Sequence, residues 1–310
     1  MAVLLDVVLP VFGVIFAGYV AGHIRLLGDA GSEALNRFVF YAALPALLFL
    51  SMARMQPARI FDWAYIASYG GGALITFALA LLMVRYGARQ RPAAASIVAM
   101  GAVFGNTAYI GIPLAQIAYG EDGALLAAIA TVFNSSVLIA LVTAIAEADL
   151  RNGNGASSRR EFAFAGLGNP LLIASSLGIA ISLSGYTLPA SLATASGLLG
   201  SAAGPCALFA LGLFLVGQPL GDAAAGTTIS VVLKLGVHPS VTWLIATRIF
   251  HLGGAHAAMA VIMAALPAGA NVFVLAQRYG IAVPAASATI VVSTGLSVFT
   301  LTALLAAYAL

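Results

Sequence analysis

The sequence predicts an all-α integral membrane protein of ten transmembrane helices, arranged as two five-helix halves of opposite orientation. Three observations predict it. The first is composition: 62% of the 310 residues are hydrophobic and 7% are charged, against about 25% charged in soluble domains. With 13 basic and 10 acidic side chains and a mean hydropathy of +1.06, the chain cannot cover a water-soluble surface. This excludes an ordinary cytosolic enzyme, a nucleic-acid binder and a disordered chain. The pI of about 9.2 reflects basic residues in short loops. The second observation is a succession of apolar stretches of bilayer-spanning length. The third is a set of short strings that recur at a nearly fixed interval.

A helix crosses hydrocarbon with about 20 mostly apolar residues. Residues 3–22, 33–53, 62–85, 93–119, 123–147, 169–186, 190–217, 227–250, 255–279 and 283–308 meet that requirement and are numbered spans 1 to 10. Turn and charge signals separate them: His23-Ile24-Arg25, Arg54 to Arg59, Arg85 to Arg91, Glu121-Asp122, and Pro219 to Asp222. The polar stretch from Asp149 to Arg160 divides the chain nearly in half. It gives a first half over 1–150, a linker over 151–168 and a second half over 169–310. No charge precedes the first apolar run and Asp6 lies inside it, a poor signal-peptide start, so span 1 is read as retained. Cys206 is the single cysteine and permits no internal disulfide.

Basic residues set the orientation. Nine (Arg25, Arg37, Arg85, Arg89, Arg91, Arg151, Arg159, Arg160 and Arg278) follow odd-numbered spans, and three (Arg54, Arg59 and Arg248) lie on the opposite side. Because cytoplasmic loops are enriched in Lys and Arg, the linker is placed inside and both termini outside, in the inner (cytoplasmic) membrane.

The halves repeat one another. Leu44-Pro45-Ala46-Leu47-Leu48-Phe49 in span 2 resembles Gly204-Pro205-Cys206-Ala207-Leu208-Phe209 in span 7. Leu114-Ala115-Gln116 with Tyr119-Gly120 in span 4 resembles Leu275-Ala276-Gln277 with Tyr279-Gly280 in span 9. The offset is 160 residues for the first pair (Pro45, Pro205) and 161 for the second (Gln116, Gln277). A near-constant offset favours duplication. Five spans per half is an odd number, so the copies face opposite ways, an arrangement common in secondary transporters.

In such architectures the site lies near the midplane, where helices are interrupted and freed backbone groups are tolerated beside protein or a water-filled cavity. Spans 4 and 9 carry matched interruption signals: Gly105-Asn106-Thr107 and Gly111-Ile112-Pro113 in one, Leu266-Pro267-Ala268-Gly269-Ala270-Asn271 in the other. Proline lacks the N–H and glycine lets backbones approach. If both helices break and cross, two helix N-termini bring partial positive charge to one point, with Asn106, Thr107 and Asn271 as neutral donors. One such span would read as a mere kink; the pairing favours a site.

Lys234 and His238 are four apart in span 8 and share a helix face, roughly 10 and 16 Å into a core about 30 Å thick. An ionisable residue at that depth is a functional candidate. Lys234 either faces the site or snorkels to the cytoplasmic surface. His238 is either a ligand or a neutral interior residue before Pro239. Asn134 in span 5 lines the site or bonds two helices together. The hydroxyls of span 10, among them Ser287, Ser293 and Thr294, read as packing. No acidic residue sits in the middle of a span, which disfavours a cationic substrate and favours an anion. There is no zinc-ligand spacing, Walker loop or serine-hydrolase elbow, so neither a metal, a cofactor nor an enzymatic reaction is expected. Gly70-Gly71-Gly72 has no P-loop lysine after it and reads as helix packing.

The run Asn106-Thr107-Ala108-Tyr109-Ile110-Gly111-Ile112-Pro113-Leu114 resembles the N-T-x-x-x-G-[IL]-P-L element of the auxin efflux carrier family, which includes plant PIN proteins and many bacterial members. Leu35-Asn36-Arg37-Phe38-Val39 with Pro45, Asn169-Pro170, Leu211-Gly212-Leu213-Phe214, and Leu266-Pro267-Ala268-Gly269 with Phe273 and Tyr279 also match in order and spacing. The resemblance covers nearly the whole chain. It implies ten helices in a five-plus-five inverted repeat with broken helices 4 and 9 crossing at their prolines. It implies a dimerising scaffold of helices 1, 2, 6 and 7, and a mobile unit of helices 3–5 and 8–10 that carries an anion by an elevator motion. It places Asn106, Pro113, Pro267 and Asn134 at or near the binding site, Asn134 standing where plant members have glutamine. With Thr107, Tyr109, Lys234, His238, Gly269 and Asn271 these form the expected substrate-binding set. Plant members place a serine after the helix-2 proline where this chain has Leu48, and many have a long linker; both differences point away from auxin, and the bacterial members it resembles are associated with small carboxylates such as malate or malonate.

The expected function is therefore transport of a small organic anion by a homodimer in the lipid bilayer. An inside-negative potential favours anion export by about 2.3 kcal/mol per charge per 100 mV, so uptake needs a coupling ion, Na+ or H+. A sodium-coupled importer of the bile-acid-symporter type is the near alternative; a non-transporting membrane receptor is another, and it would bind without flux. The topology makes a direct prediction. With Cys206→Ser as background, a cysteine at Ser157 (Ser157→Cys) reacts with an impermeant maleimide only from the cytoplasmic side; labelling from outside reverses the assignment.

Overall fold

A computed structural model describes residues 9–54, 62–151, 170–218 and 224–308. Asp6, Arg59, Asn169, the break from Pro219 to Asp222, and the linker from residue 152 with Ser157, Arg159 and Arg160 lie outside the described residues. Among the described residues all regular elements are helical. In chain order the α-helices are α1 (Leu9–His23), α2 (Gly28–Phe38), α3 (Leu44–Ala53), α4 (Trp63–Leu82), α5 (Pro92–Gly101), α6 (Ile112–Phe133), α7 (Ile139–Arg151), α8 (Pro170–Ser184), α9 (Ala190–Ser201), α10 (Ala203–Leu215), α11 (Ala224–Val232), α12 (His238–Leu244), α13 (Gly254–Ala265), α14 (Asn271–Tyr279) and α15 (Val283–Ala307). By length and composition, six helical stretches among the described residues suffice to cross a bilayer: Ala30–Ala53, Trp63–Gly87, Thr107–Leu150, Ala190–Leu215, Ala225–Ile249 and Val283–Ala307. Shorter apolar helices are Leu9–His23, Pro92–Gly101, Ile173–Ser184 and Gly254–Ala265. The 44-residue stretch is bent at Gly120 (φ 65°, ψ −150°), a conformation open in practice to glycine alone. The bend falls just before Glu121-Asp122, where the sequence places the gap between spans 4 and 5.

Several helices are joined end to end through wide π-helical turns, and three of these turns have a visible cause. Val39–Ala43, Thr107–Gly111 and Leu233–Val237 are π-helical, and each is followed two residues later by a proline: Pro45, Pro113 and Pro239. A proline in a helix has no N–H to give and its ring collides with the carbonyl four residues earlier. Those carbonyls belong to Tyr41, Tyr109 and Leu235, the central residue of each π turn. Widening the turn there accommodates the ring without ending the helix. Gly111-Ile112-Pro113, expected from sequence as an interruption, accordingly lies within continuous helix. The non-helical segment is Ala102 to Asn106, just upstream.

The chain divides into two compact units. The first comprises the described parts of Met1–Trp63, Ala108–Val132 and Phe162–Gly217. In it α1 packs along α10, and α8 and α9 pack along α3. Small residues permit the close approach. A Cβ at Gly18 would collide with the carbonyl of Phe209, and one at Gly212 with the carbonyl of Ile15. A Cβ at Gly22, one turn after Gly18, would meet the Val216 side chain. Small residues four apart are the usual means of bringing apolar helices into backbone contact where there is no hydrophobic gain to drive association.

The second unit comprises Ala64–Thr107, the described part of Phe133–Glu161, and that of Gln218–Leu310. Here α5 packs on α7 and α11, α12 on α13, and α11 and α14 on α15. Its core includes Ala73, Phe77, Ile97, Met100, Val103, Leu138 and Val142, all buried. Gly72 lets α4 approach Thr242 of α12. At the start of α5 the N–H of Ala93 donates to the Asp149 carboxylate at 3.2 Å, where a negative charge meets an unsatisfied donor and the positive end of the helix. Arg91 stands 3.6 Å from the same carboxylate.

The α1–α10 contact yields a stability test. Gly212→Ala forces a methyl into the Ile15 carbonyl and should destabilise by about 1–3 kcal/mol, read as a lower melting temperature in detergent. Gly13→Ala, whose Cβ would meet nothing within 4 Å, is the matched control and should leave the melting temperature unchanged or slightly raised.

Candidate functional site

Two helix ends in the second unit expose backbone groups to one another. The helix α5 stops at Gly101, and helical geometry resumes at Thr107. The helix α13 stops at Ala265, because Pro267 drives the preceding Leu266 into an extended conformation (φ −57°, ψ 148°), and α14 begins at Asn271. The two intervening segments run antiparallel, with Gly105 opposite Ala268. Asn106 N–H donates to the Pro267 carbonyl at 2.8 Å, and Gly269 N–H donates to the Phe104 carbonyl at 2.9 Å. Groups that each helix end would otherwise leave bare in a buried place are thus paired across the gap.

Side chains complete the pairing. Asn134, fully buried in a π-helical turn (Asn134–Leu138), donates through Nδ2 to the Gly105 carbonyl at 3.3 Å and to Thr107 Oγ1 at 3.4 Å. Its Oδ1 accepts from the Tyr69 hydroxyl at 2.9 Å. Ser293 Oγ accepts the Ala268 N–H at 3.0 Å. Lys234 is 0% exposed, so within the folded chain its ammonium turns inwards. Nζ donates to the Ala264 carbonyl at 2.7 Å, in the last turn of α13, where helix carbonyls lack partners and a cation is favoured. It also lies 3.2 Å from Nδ1 of His238. A Cβ on Gly105 would stand 3.3 Å from Nζ, so a side chain there would crowd the lysine. His238 is likewise 0% exposed, its ring centroid is 5.9 Å from that of Tyr69, and its Nε2 has no hydrogen-bond partner among the described residues.

Of the residues expected from sequence, Asn106, Thr107, Asn134, Lys234, His238, Pro267, Gly269 and Asn271 fall in the second unit, and all but Asn271 belong to the hydrogen-bonded cluster or abut it. Asn271 is half-buried and opens α14. Tyr109 and Pro113 belong to the first unit, where Pro113 packs 3.4 Å from the Cβ position of Gly204. Sequence reasoning missed Tyr69 and the backbone of Gly105, and it assigned Ser293 to packing. Tyr69 had one signal, a phenol in the middle of an apolar span beside three glycines. The first unit also contains a cavity of about 420 Å³ whose lining includes Ser51, Arg54, Gln116, Glu121, Asp122 and Ser196; the sequence showed Arg54, Glu121 and Asp122 only as break signals and Gln116 only as part of a recurring string.

Comparison with known proteins decides the family. Residues 3–305 match the family described as "Membrane transport protein". The chain belongs to this family, the auxin efflux carrier family of the sequence resemblance. A Rhizobium meliloti protein named "Putative malonate transporter" is 33% identical over 318 residues, covering 98% of this chain and 96% of its own. An "Uncharacterized transporter" of Methanothermobacter thermautotrophicus is 26% identical, covering 96% and 95%. The "Uncharacterized transporter YfdV" of Escherichia coli is 24% identical, covering 92% and 91%. The chain is an all-helical, multi-pass integral membrane transporter of this family, and not an enzyme.

The geometry predicts how the cluster responds to a small change. Tyr69→Phe removes the donor to Asn134 and leaves a buried amide oxygen unsatisfied, at a cost of about 1–3 kcal/mol. The variant should melt earlier than wild type, whereas Tyr65→Phe, at a buried tyrosine on the same helix, gives the comparison for loss of a phenol elsewhere.

Proposed function

We propose that the chain moves a small carboxylate across the membrane by an elevator motion, binding it where the segment 104–106 meets the segment 267–269. The reciprocal backbone pairing of these segments is the observation that carries the reading. Phe104 accepts from Gly269 as Pro267 accepts from Asn106, so the two acceptors, Phe104 and Pro267, and the two donors, Asn106 and Gly269, are each 163 positions apart. A two-fold relation of that kind is expected of inverted repeats crossing at interrupted helices. The interval is close to the 160 and 161 seen between the recurring strings, which supports ten spans in a five-plus-five repeat with broken helices 4 and 9.

The proposed substrate-binding set is Asn106, Thr107, Tyr109, Pro113, Asn134, Lys234, His238, Pro267, Gly269 and Asn271. Helical geometry restarts at Thr107 and at Asn271, so partly positive helix starts flank the crossing, and Lys234 supplies the full positive charge. No carboxylate lies on α4, α5, α11, α12, α13 or α15, which suits an anion. The name of the Rhizobium meliloti relative makes malonate the first substrate to test. The scaffold and mobile unit of an elevator find support in the two compact units. The first takes in α1–α3 and α8–α10, the second α4, α5, α7 and α11–α15, with Ala108–Val132 grouped on the first side. In this reading the scaffold pairs two copies in a homodimer in the cytoplasmic membrane, with both termini outside.

Asn106 separates structure from function. Its backbone N–H makes the crossing bond to Pro267, so Asn106→Ala keeps the pairing and removes only the amide side chain. The variant keeps the backbone bond at the crossing and should still fold, yet lose about tenfold or more of malonate flux in proteoliposomes, the loss expected for one hydrogen bond to a charged ligand. Unchanged flux removes Asn106 from the site.

A further inference from the structure

We propose that the proton is the coupling ion and that the Lys234–His238 pair carries it, taking up one proton with each carboxylate bound at the crossing segments. The inference rests on the binding site proposed above. Lys234 Nζ and His238 Nδ1 are 3.2 Å apart and both residues are 0% exposed. Two positive charges at that separation in a buried place repel too strongly to coexist, so the pair holds one net charge or none.

The surroundings decide what sets the choice. From α4 the pair meets the ring of Tyr69. From α13 it meets the Ala264 carbonyl; the one titratable group of that helix, His256, is exposed at its other end. The helices α11 and α15 contribute no titratable side chain, and α12 and its following turn contribute Arg248, beyond the opposite end from Lys234. No carboxylate on any of these elements balances a charge on the pair. An uncompensated buried charge is costly. The incoming carboxylate is therefore the counter-ion, and anion and proton favour each other's binding reciprocally.

The hydrogen bonds accommodate both states. In the uncharged state Nδ1–H of the imidazole donates to the amine, and the amine donates to the Ala264 carbonyl. To charge the pair, a proton adds to Nε2, which has no partner among the described residues, and the Nδ1 proton passes to Nζ. The product is an ammonium that donates to Nδ1 and to the same carbonyl. One proton enters, one N–H bond forms at Nε2 and one at Nζ, and one breaks at Nδ1. The net gain is a single positive charge beside Gly105. The proton cancels one carboxylate charge during transit, which lowers the electrical penalty on uptake by that charge; a dicarboxylate such as malonate still carries the other.

The test is isothermal titration of malonate into the purified protein at pH 8 in phosphate and in Tris, whose ionisation enthalpies differ. The expected result is uptake of about one proton per malonate bound, with affinity falling about tenfold per pH unit at higher pH and unaffected by replacing sodium with choline. Lys234→Gln should lose binding. Lys234→Arg, which keeps its charge, should bind with no proton uptake. Malonate binding to wild type without proton uptake overturns the proton assignment and leaves the site standing. Failure of wild type to bind malonate, or unaltered affinity in Lys234→Gln, overturns the site itself and the inference with it.

Discussion

Hydrocarbon offers a backbone no partners, and this constraint governs the centre of the second unit. A helix that stops inside a membrane protein leaves several N–H and C=O groups exposed, each costly if left dry. Here two helices stop, and the exposed segments 104–106 and 267–269 satisfy one another through two reciprocal bonds. Three further groups are taken by side chains from other helices: the Gly105 carbonyl by Asn134, the Ala268 N–H by Ser293 and the Ala264 carbonyl by Lys234. Asn134, Ser293 and Lys234 thus have a common explanation. They stand where the second unit needs donors and acceptors, which accounts for their complete burial in an otherwise apolar chain.

The same constraint explains why the prolines do not all act alike. Pro267 ends α13, whereas Pro45, Pro113 and Pro239 are absorbed by π-helical turns that widen at the carbonyl the ring would strike. The difference lies in the residues after each proline. Pro267 is succeeded by Ala268-Gly269, whose N–H groups find Ser293 and Phe104 as acceptors, so leaving the helix costs little. The other three are succeeded by residues that continue directly into α3, α6 and α12. Proline is thus a signal that the ladder must be altered, while the availability of partners decides whether it breaks.

Much of this was legible in the sequence, and the limits are physical. Apolar length and charge identified the membrane class, and recurring strings with the Asn106 to Leu114 run identified the family. Gly105-Asn106-Thr107 and Leu266 to Asn271 marked the two places where the backbone leaves the helix. The register of the first was less clear, because Gly111 and Pro113 carry the same breaking signal as Gly105, and only tertiary partners distinguish them. Tyr69 and Ser293 were hidden for a related reason. A phenol or hydroxyl in an apolar span can bond within its own turn, as Ser68 does to Ala64, and its sequence neighbours do not reveal that it reaches elsewhere. Lys234 had two readings, and the chain's own carbonyl at Ala264 competes successfully with the aqueous surface for the ammonium.

That competition bears on what a buried lysine is for. Capping the end of α13 would be served equally by a neutral donor such as Asn or Gln, without the several kcal/mol needed to strip an ammonium of water. A structural role alone therefore leaves the charge unexplained. The position of Nζ removes the difficulty if the charge serves a second purpose. It sits against Gly105, where the absent side chain leaves the backbone of the crossing open to it, and His238 holds it from the other side. A cap that also presents a titratable charge at the junction of two helix restarts links the stability of the crossing to whatever anion occupies it. The same bond that completes the fold at Ala264 then keeps the ammonium in register for the proposed anion.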